Sequence, residues 1–309
     1  MIAETKKEVK KKRLKISEAP LHLMMLPGVI MLIIYDYLPM GGLVIAFQRF
    51  IPAKGLFGKQ EWVGWENFTY FFNMPEFRSV ISNTVSIAVA KIILGLLVPL
   101  IISLLLNEMG SQITKRSIQT AIYLPHFLSW VILGGVLMRI LSPSSGIVNQ
   151  FLGLFGIDPI FFLGDNRWFK LTVIVTNQWK EFGWGTIIYL AALAGIDPNL
   201  YEAAYIDGAN RLQQVRYVTL PGMRYIIVLM MVMSLRGIFN AGFDQIFNLY
   251  STAVYESGDI IDTMMYRVGL IQARYGLSTA IGLLKSIISL ILISLSYHLA
   301  YKWTDYRVF

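Results

Sequence analysis

Six stretches of this 309-residue chain are apolar over twenty or more positions: Leu21–Phe47, Val80–Leu106, Thr120–Leu141, Trp168–Leu193, Gly222–Phe247 and Leu277–Lys302. A bilayer core is about 30 Å thick, and roughly 20 helical residues cross it. Inside lipid no water takes up unpaired backbone groups, so a span of this kind has to be a helix. The expected fold is therefore all-α and integral to a membrane, with about six transmembrane helices. Composition agrees, with 55% hydrophobic and only 15% charged residues. Soluble domains carry about 25% charged residues.

The formal net charge of +8 does not point to nucleic acid. Seven cations (Lys6, Lys7, Lys10, Lys11, Lys12, Arg13 and Lys15) precede the first span and form a basic tail over residues 1–19, leaving 20–309 as one membrane domain. This start resembles the basic region of a secretory signal, but the apolar stretch after it is too long and no small-residue cleavage site follows, so a retained first helix is expected. Placing the amino terminus inside puts Lys115, Arg116, Arg211, Arg216, Arg224, Lys302 and Arg307 on the inner side with the tail. The outer side then holds Arg49, Lys54, Lys59, Arg78, Arg167, Arg267 and Arg274. That bias puts both termini in the cytoplasm.

Enzyme chemistry has no foothold. The chain has no cysteine, and His22, His126 and His298 are too far apart to suggest a metal site. No catalytic constellation stands out, and no Gly-x-x-x-x-Gly-Lys-Ser/Thr phosphate loop is present. Among the outer loops, 48–79 is rich in aromatics (Trp62, Trp65, Phe68, Tyr70, Phe71, Phe72). Loop 142–167 carries an apolar run, Ile147 to Leu163, broken by Gly153, Gly156 and Pro159, which suits an interfacial or re-entrant element. Loop 248–276 mixes Glu256, Asp259 and Asp262 with Met264, Met265 and Tyr266.

The longest inner loop, about 196–221, is dense in helix signals. Asp197 suits an N-cap and Pro198 a first helical position. Gly208 permits a turn, Arg211 to Tyr217 can form a second short helix, and Pro221 can open the fifth span. The small residues Ala203, Ala204, Gly208 and Ala209, with Glu202 as a charged anchor, suit either a docking element or an ordinary interfacial connector.

Polar groups within spans are costly, about 2.5–3.5 kcal/mol for a charge, and mark functional candidates. The fourth span carries Asn177, Gln178, Trp179, Lys180, Glu181 and Trp184; the fifth carries Arg236, Asn240, Asp244 and Gln245, beside Phe239 and Phe243. In one continuous helix Arg236, Asn240 and Asp244 share a face. Lys180 and Glu181 point about 100° apart, so they need not pair. Amides and carboxylates bind hydroxyls and aromatic rings stack on sugar faces, so Asn177, Trp179, Glu181, Trp184, Phe239, Asn240, Phe243 and Asp244 are candidates for a sugar pathway. A structural network between helices is the alternative. Lys91 and Lys285 are expected to be structural or snorkelling.

Glu202-Ala203-Ala204, Gly208 and then Val218-Thr219-Leu220-Pro221 resemble the EAA loop of type I ABC importer permeases, with Val218 where isoleucine is more usual. Leu26-Pro27-Gly28, Tyr37-Leu38-Pro39-Met40, Trp62-Val63-Gly64-Trp65-Glu66-Asn67-Phe68 and the segment Asp262 to Gly282 resemble the carbohydrate-uptake branch, closest to importers of polysaccharide fragments. The resemblance implies a type I permease fold in the bacterial plasma membrane. It implies a second permease subunit, usually unlike the first, two cytoplasmic ABC ATPases that use ATP and Mg, and an extracellular solute-binding protein that delivers an oligosaccharide. No cofactor is implied for this chain. The docking role falls on Glu202, Ala203, Ala204, Asp207, Gly208 and Ala209. The rival readings are a self-contained secondary transporter, against which six spans without a visible repeat count, and a membrane-embedded enzyme.

Overall fold

The computed structural model describes residues 19–304 apart from Phe57 and Arg236; the seven cations of the basic tail, Arg236 and Arg307 lie outside the described residues. In chain order, α1 (Pro20–Phe47) leads into a two-strand ribbon, β1 (Gln48–Arg49) and β2 (Glu61–Trp62). Then come α2 (Glu66–Phe72), α3 (Phe77–Asn107), α4 (Gln112–Phe127), α5 (Trp130–Ile140), α6 (Ile147–Gly153) and α7 (Asn166–Ala194). The chain continues through α8 (Pro198–Ile206), α9 (Arg211–Leu235), α10 (Phe243–Leu249), α11 (Tyr255–Gly258), α12 (Ile261–Tyr266) and α13 (Tyr275–Thr304).

Helices α1, α3, α9 and α13 are long and apolar enough to cross a membrane, and α4 with α5 makes a fifth candidate bent by 104°. With 29 residues, α7 is about 43 Å long and also reaches across, but its middle carries Asn177, Gln178, Lys180 and Glu181. These six account for the six apolar stretches, so the all-α membrane architecture stands.

Two spans are not the continuous helices that their sequence suggests. In the third, Pro125 sits in a tight 3-10 turn, Leu128 is extended, and Ser129 caps a new helix by accepting from the N–H of Ile132 at 3.3 Å. In the fifth, the helix ends at Leu235 and restarts only after Gly242, whose φ is +95°. Both breaks are corrections to single spans over 120–141 and 222–247. Their physical cause is the same: a local backbone preference wins because side chains stand ready to take the freed backbone groups.

The core is built where α3 runs along α7. Ile87 and Ala88 of α3, Phe169 and Val173 of α7, Leu137 of α5 and Ile246 and Leu249 of α10 form one buried cluster. Glycine allows the closest approaches, as is usual between membrane helices. A Cβ on Gly183 would collide with the Ile122 carbonyl, and one on Gly185 would stand 2.9 Å from Pro99. A second cluster joins Phe71, Val80, Phe239, Ile261, Met264 and Ile281. Its presence shows that the 248–276 segment is part of the core and not a loose loop. Asn83 donates to the carbonyls of Glu256 (2.9 Å) and Asp259 (3.0 Å), and Thr84 accepts from the N–H of Ile261 (2.9 Å). Asp259, only 2% exposed, pairs with Arg267 at 2.5 Å. Burial works against the Arg267 charge, but the hydrogen bond and charge of Asp259 outweigh it and raise the guanidinium pKa.

The aromatic loop packs onto the end of α1. Phe47 stacks on Trp62 at 5.8 Å, and Asn67 donates to the carbonyls of Ala46 (2.9 Å) and Gln48 (3.2 Å). Lys285 pairs with Asp262, tying α13 to α12, which is the structural role expected of it. Within 142–167, α6 is a short helix anchored by Asn149, which bonds both backbone groups of Ile160.

The Gly183 contact yields a stability prediction. Gly183→Val forces backbone against backbone between α7 and α4 and should destabilise the fold by about 1–3 kcal/mol. Thermal unfolding in detergent checks it, with Gly195→Ala, where an added Cβ meets nothing closer than 3.5 Å, expected to melt like the parent.

Candidate functional site

The loop after α7 is shaped by local capping. The Asp197 carboxylate accepts from the N–H of Asn199 at 3.0 Å, and Pro198 occupies the first turn of α8. Gly208 adopts φ +79°, which a β-branched side chain strongly resists. Asn210 and Gln213 then form a reciprocal capping box, at 2.9 and 2.7 Å. The expected second short helix is not separate: α9 runs from Arg211 through a π turn over Val215–Thr219 into the fifth span, carrying Pro221 inside it.

Three contacts join the 196–211 segment to the bundle. Tyr201 and Thr219 share a hydroxyl hydrogen bond at 3.0 Å. A Cβ on Gly222 would lie 3.1 Å from Ile196, and Arg211 reaches Glu108 at the end of α3 at 3.5 Å. Glu202, Ala203, Asp207 and Gly208 are exposed, while Ala204 and Ala209 are half-buried. Tyr205 (77% exposed) and Ile206 (83%) stand out beside them and, with Arg211, edge a groove of about 660 Å³. Tyr205 and Ile206 are not among the docking residues that the sequence suggests. Two large apolar side chains directly after Glu-Ala-Ala on a loop were the available signal.

A second polar constellation lies at the middle of α7. Lys180 is 6% exposed; its Nζ donates to Glu181 Oε1 (2.8 Å) and to the His126 carbonyl (2.8 Å). The other Glu181 oxygen meets His126 Nδ1 at 2.7 Å, and the His126 ring stacks on Trp184 at 4.5 Å. Lys180 and Glu181 thus do pair although they point apart along the helix, because both side chains turn toward the α4–α5 break. Nothing in the sequence linked His126 to them. Asn177, Glu181 and Trp184 follow at i, i+4 and i+7 and share a face. Trp179 lies on the opposite face with the exposed Leu171 and Val175, apart from the other three.

At the α9–α10 break, Lys91 donates to the Ala241 carbonyl and to Gln245 Oε1, both at 2.6 Å. Gln245 in turn donates to the Val173 carbonyl (2.8 Å) and Thr176 Oγ1 (2.9 Å). Lys91 therefore has the structural role expected of it. With the helix ended at Leu235, the proposed common face of Arg236, Asn240 and Asp244 does not exist, and Arg236 is outside the described residues. Phe239 turns into the core, whereas Asn240 and Asp244 are exposed. Beside Asp244, Phe243 stacks on Phe247 at 5.2 Å and Phe247 meets Tyr266 at 4.8 Å. Phe247 and Tyr266 were absent from the candidates, and Tyr266 arrives from another helix altogether. The Gln245 bond joins α10 to Thr176, one residue before Asn177.

Residues 92–309 match the family model described as binding-protein-dependent transport system inner membrane component. The chain is 38% identical over 306 residues to the polygalacturonan/rhamnogalacturonan transport system permease protein YteP of Bacillus subtilis (strain 168), covering 98% of this chain and 95% of that protein. It is similar to a chain in the crystal structure of a bacterial ABC transporter involved in the import of the acidic polysaccharide alginate. There the TM-score is 0.87 and the identity 37%, over 93% of this chain and 97% of that one. It is equally similar (TM-score 0.87, 36% identity, 94% and 97% covered) to a chain of the bacterial alginate ABC transporter in complex with alginate pentasaccharide-bound periplasmic protein.

The Lys180 pairing is testable through stability. Glu181→Gln leaves a buried ammonium without its counter-charge and should cost about 3 kcal/mol. The double variant Lys180→Met with Glu181→Gln, which removes both charges, should recover most of that loss in the same detergent melting assay.

Proposed function

The chain belongs to the binding-protein-dependent transport system inner membrane component family, and on that premise we propose that it is one permease subunit of an ATP-driven importer that moves oligosaccharides across the bacterial plasma membrane. It carries no ATPase chemistry of its own. Two cytoplasmic ABC ATPases hydrolyse ATP with Mg, a second and unlike permease completes the transmembrane channel, and an extracellular solute-binding protein delivers the sugar. Both termini face the cytoplasm.

The observation that carries this reading is the capped loop between α7 and α9. A docking element has to be rigid and to offer a surface that another protein covers. Here α8 is capped at both ends, turned by Gly208, and left with Tyr205 and Ile206 exposed above a groove. Glu202, Ala203, Ala204, Asp207, Gly208 and Ala209 seat in a complementary cleft of the ATPase. Closure of the ATPase pair moves α8, and the contacts through Thr219, Gly222 and Glu108 pass the motion to α9 and α3. The sugar passes between the Asn177–Glu181–Trp184 face and the Asn240–Asp244 surface.

Gly208→Val forces a β-branched residue into the left-handed region and should lower ATP-dependent sugar uptake roughly tenfold or more. The same variant should lose the ABC ATPase on affinity co-purification from gently solubilised membranes while melting within about 4 °C of the parent. Recovery of the chain alone, still transporting after reconstitution under a proton gradient and without ATP, would move the assignment to a secondary transporter.

A further inference from the structure

The turn that ends α4 brings two more rings to the face of α7 that carries Asn177, Glu181 and Trp184. His126 lies flat on Trp184, with ring centroids 4.5 Å apart and planes within 7° of parallel. Phe127, the next residue, meets Trp184 at 6.4 Å and 85°, so these two rings make a right-angled corner. The corner is open: Phe127 is 72% exposed, and Trp184 is 47% exposed although His126 covers one face of its indole. Asn177 and the Lys180–Glu181 ion pair lie on the same side, and polar groups inside a span turn to the bundle interior or to a water-filled space. The side of α7 suited to lipid is the opposite one, with Leu171, Val175 and Trp179.

The corner is also held in place. Glu181 accepts from His126 Nδ1 at 2.7 Å and from Lys180 at 2.8 Å, and Lys180 closes the loop by donating to the His126 carbonyl at 2.8 Å. Turning the imidazole breaks a charge-assisted bond, and the Trp184 plane follows the imidazole. We propose that this corner is a sugar subsite. Phe127 and Trp184 take the C–H face and the edge of one pyranose ring, and His126 is the positioning residue that fixes the Trp184 plane. Rings with an unbroken C–H face, as in galactosyl and galacturonyl units, are the chemistry that two perpendicular aromatic rings grip. The inference rests on the pathway reading above and adds the end of α4 to it.

The test uses the whole transporter (this chain, its partner permease, the ATPases and the binding protein) in proteoliposomes, with a galactose trisaccharide and trigalacturonate as probes. The readout is sugar imported per ATP hydrolysed. Phe127→Leu, which stays apolar but loses the ring, should lower that ratio about fivefold with ATP turnover unchanged, and Phe127→Tyr should stay within twofold of the parent. His126→Asn keeps a donor for Glu181 and loses only the stacked ring. It should lower the ratio as much as Trp184→Leu does and add nothing when the two are combined. Import by Phe127→Leu at the parent ratio overturns the subsite. So does loss of the partner permease from the purified Phe127→Leu complex, which would make the corner a subunit contact. A further fall on combining His126→Asn with Trp184→Leu overturns the positioning role. ATP-driven import by the parent keeps the importer reading whatever the variants do; if neither probe enters and neither stimulates ATP turnover, that reading falls and takes the inference with it.

Discussion

A helix that stops inside a bilayer strands backbone groups where no water can reach them, and the whole bundle is organised around answering that problem at the end of α9. Lys91 reaches from α3 to the Ala241 carbonyl and holds Gln245, and Gln245 fastens onto the backbone and hydroxyl of α7. One lysine and one glutamine thus lock three helices at the point where one is broken. The non-helical stretch over 237–242 sends Phe239 into the core and leaves Asn240, and Asp244 just after it, outside it. It also lets α10 lie against the start of α5, where Gly134 admits Asn248 closely.

The α4–α5 break is answered in the same way from the other side. Lys180 takes the His126 carbonyl, Glu181 takes the His126 ring, and the ring stacks on Trp184. Both breaks therefore rest on the middle of α7, where Gly183 admits the backbone of α4 and Gly185 the Pro99 ring of α3. That helix serves as the fixed spine. The broken elements α5 and α10 are short, and the charges that hold them are few. This is an arrangement suited to two discrete states, because a network of this kind either keeps its partners or exchanges them together.

The loop after α7 connects to this frame through α9 and α3 and not through the spine alone. Tyr201 of α8 and Ile196 just before it touch α9 at Thr219 and Gly222, and Arg211 at the start of α9 touches Glu108 just after α3. A displacement of α8 therefore reaches the base of α9, and the far end of α9 is the break that Lys91 holds. In the proposed transport cycle, this gives a contiguous route from ATPase closure to the polar surface at Asp244.

The sequence alone determined that the chain lives in lipid, that about six segments cross it, and that the loop after the fourth carries a capped helix with Asp197, Pro198 and Gly208 in their observed roles. These features depend on residues within a turn or two of each other. It could not show that the third and fifth spans are broken, because an apolar run reads the same whether or not it bends. What stabilises each bend comes from far along the chain: Lys91 is 150 residues from Ala241, and His126 is 55 from Glu181. The Arg236–Asn240–Asp244 stripe failed for that reason, and Tyr266 was missed because no spacing ties it to Phe247. Only the tertiary structure decided which charges neutralise each other, since in a low-dielectric bundle the pairing is settled by which helices touch.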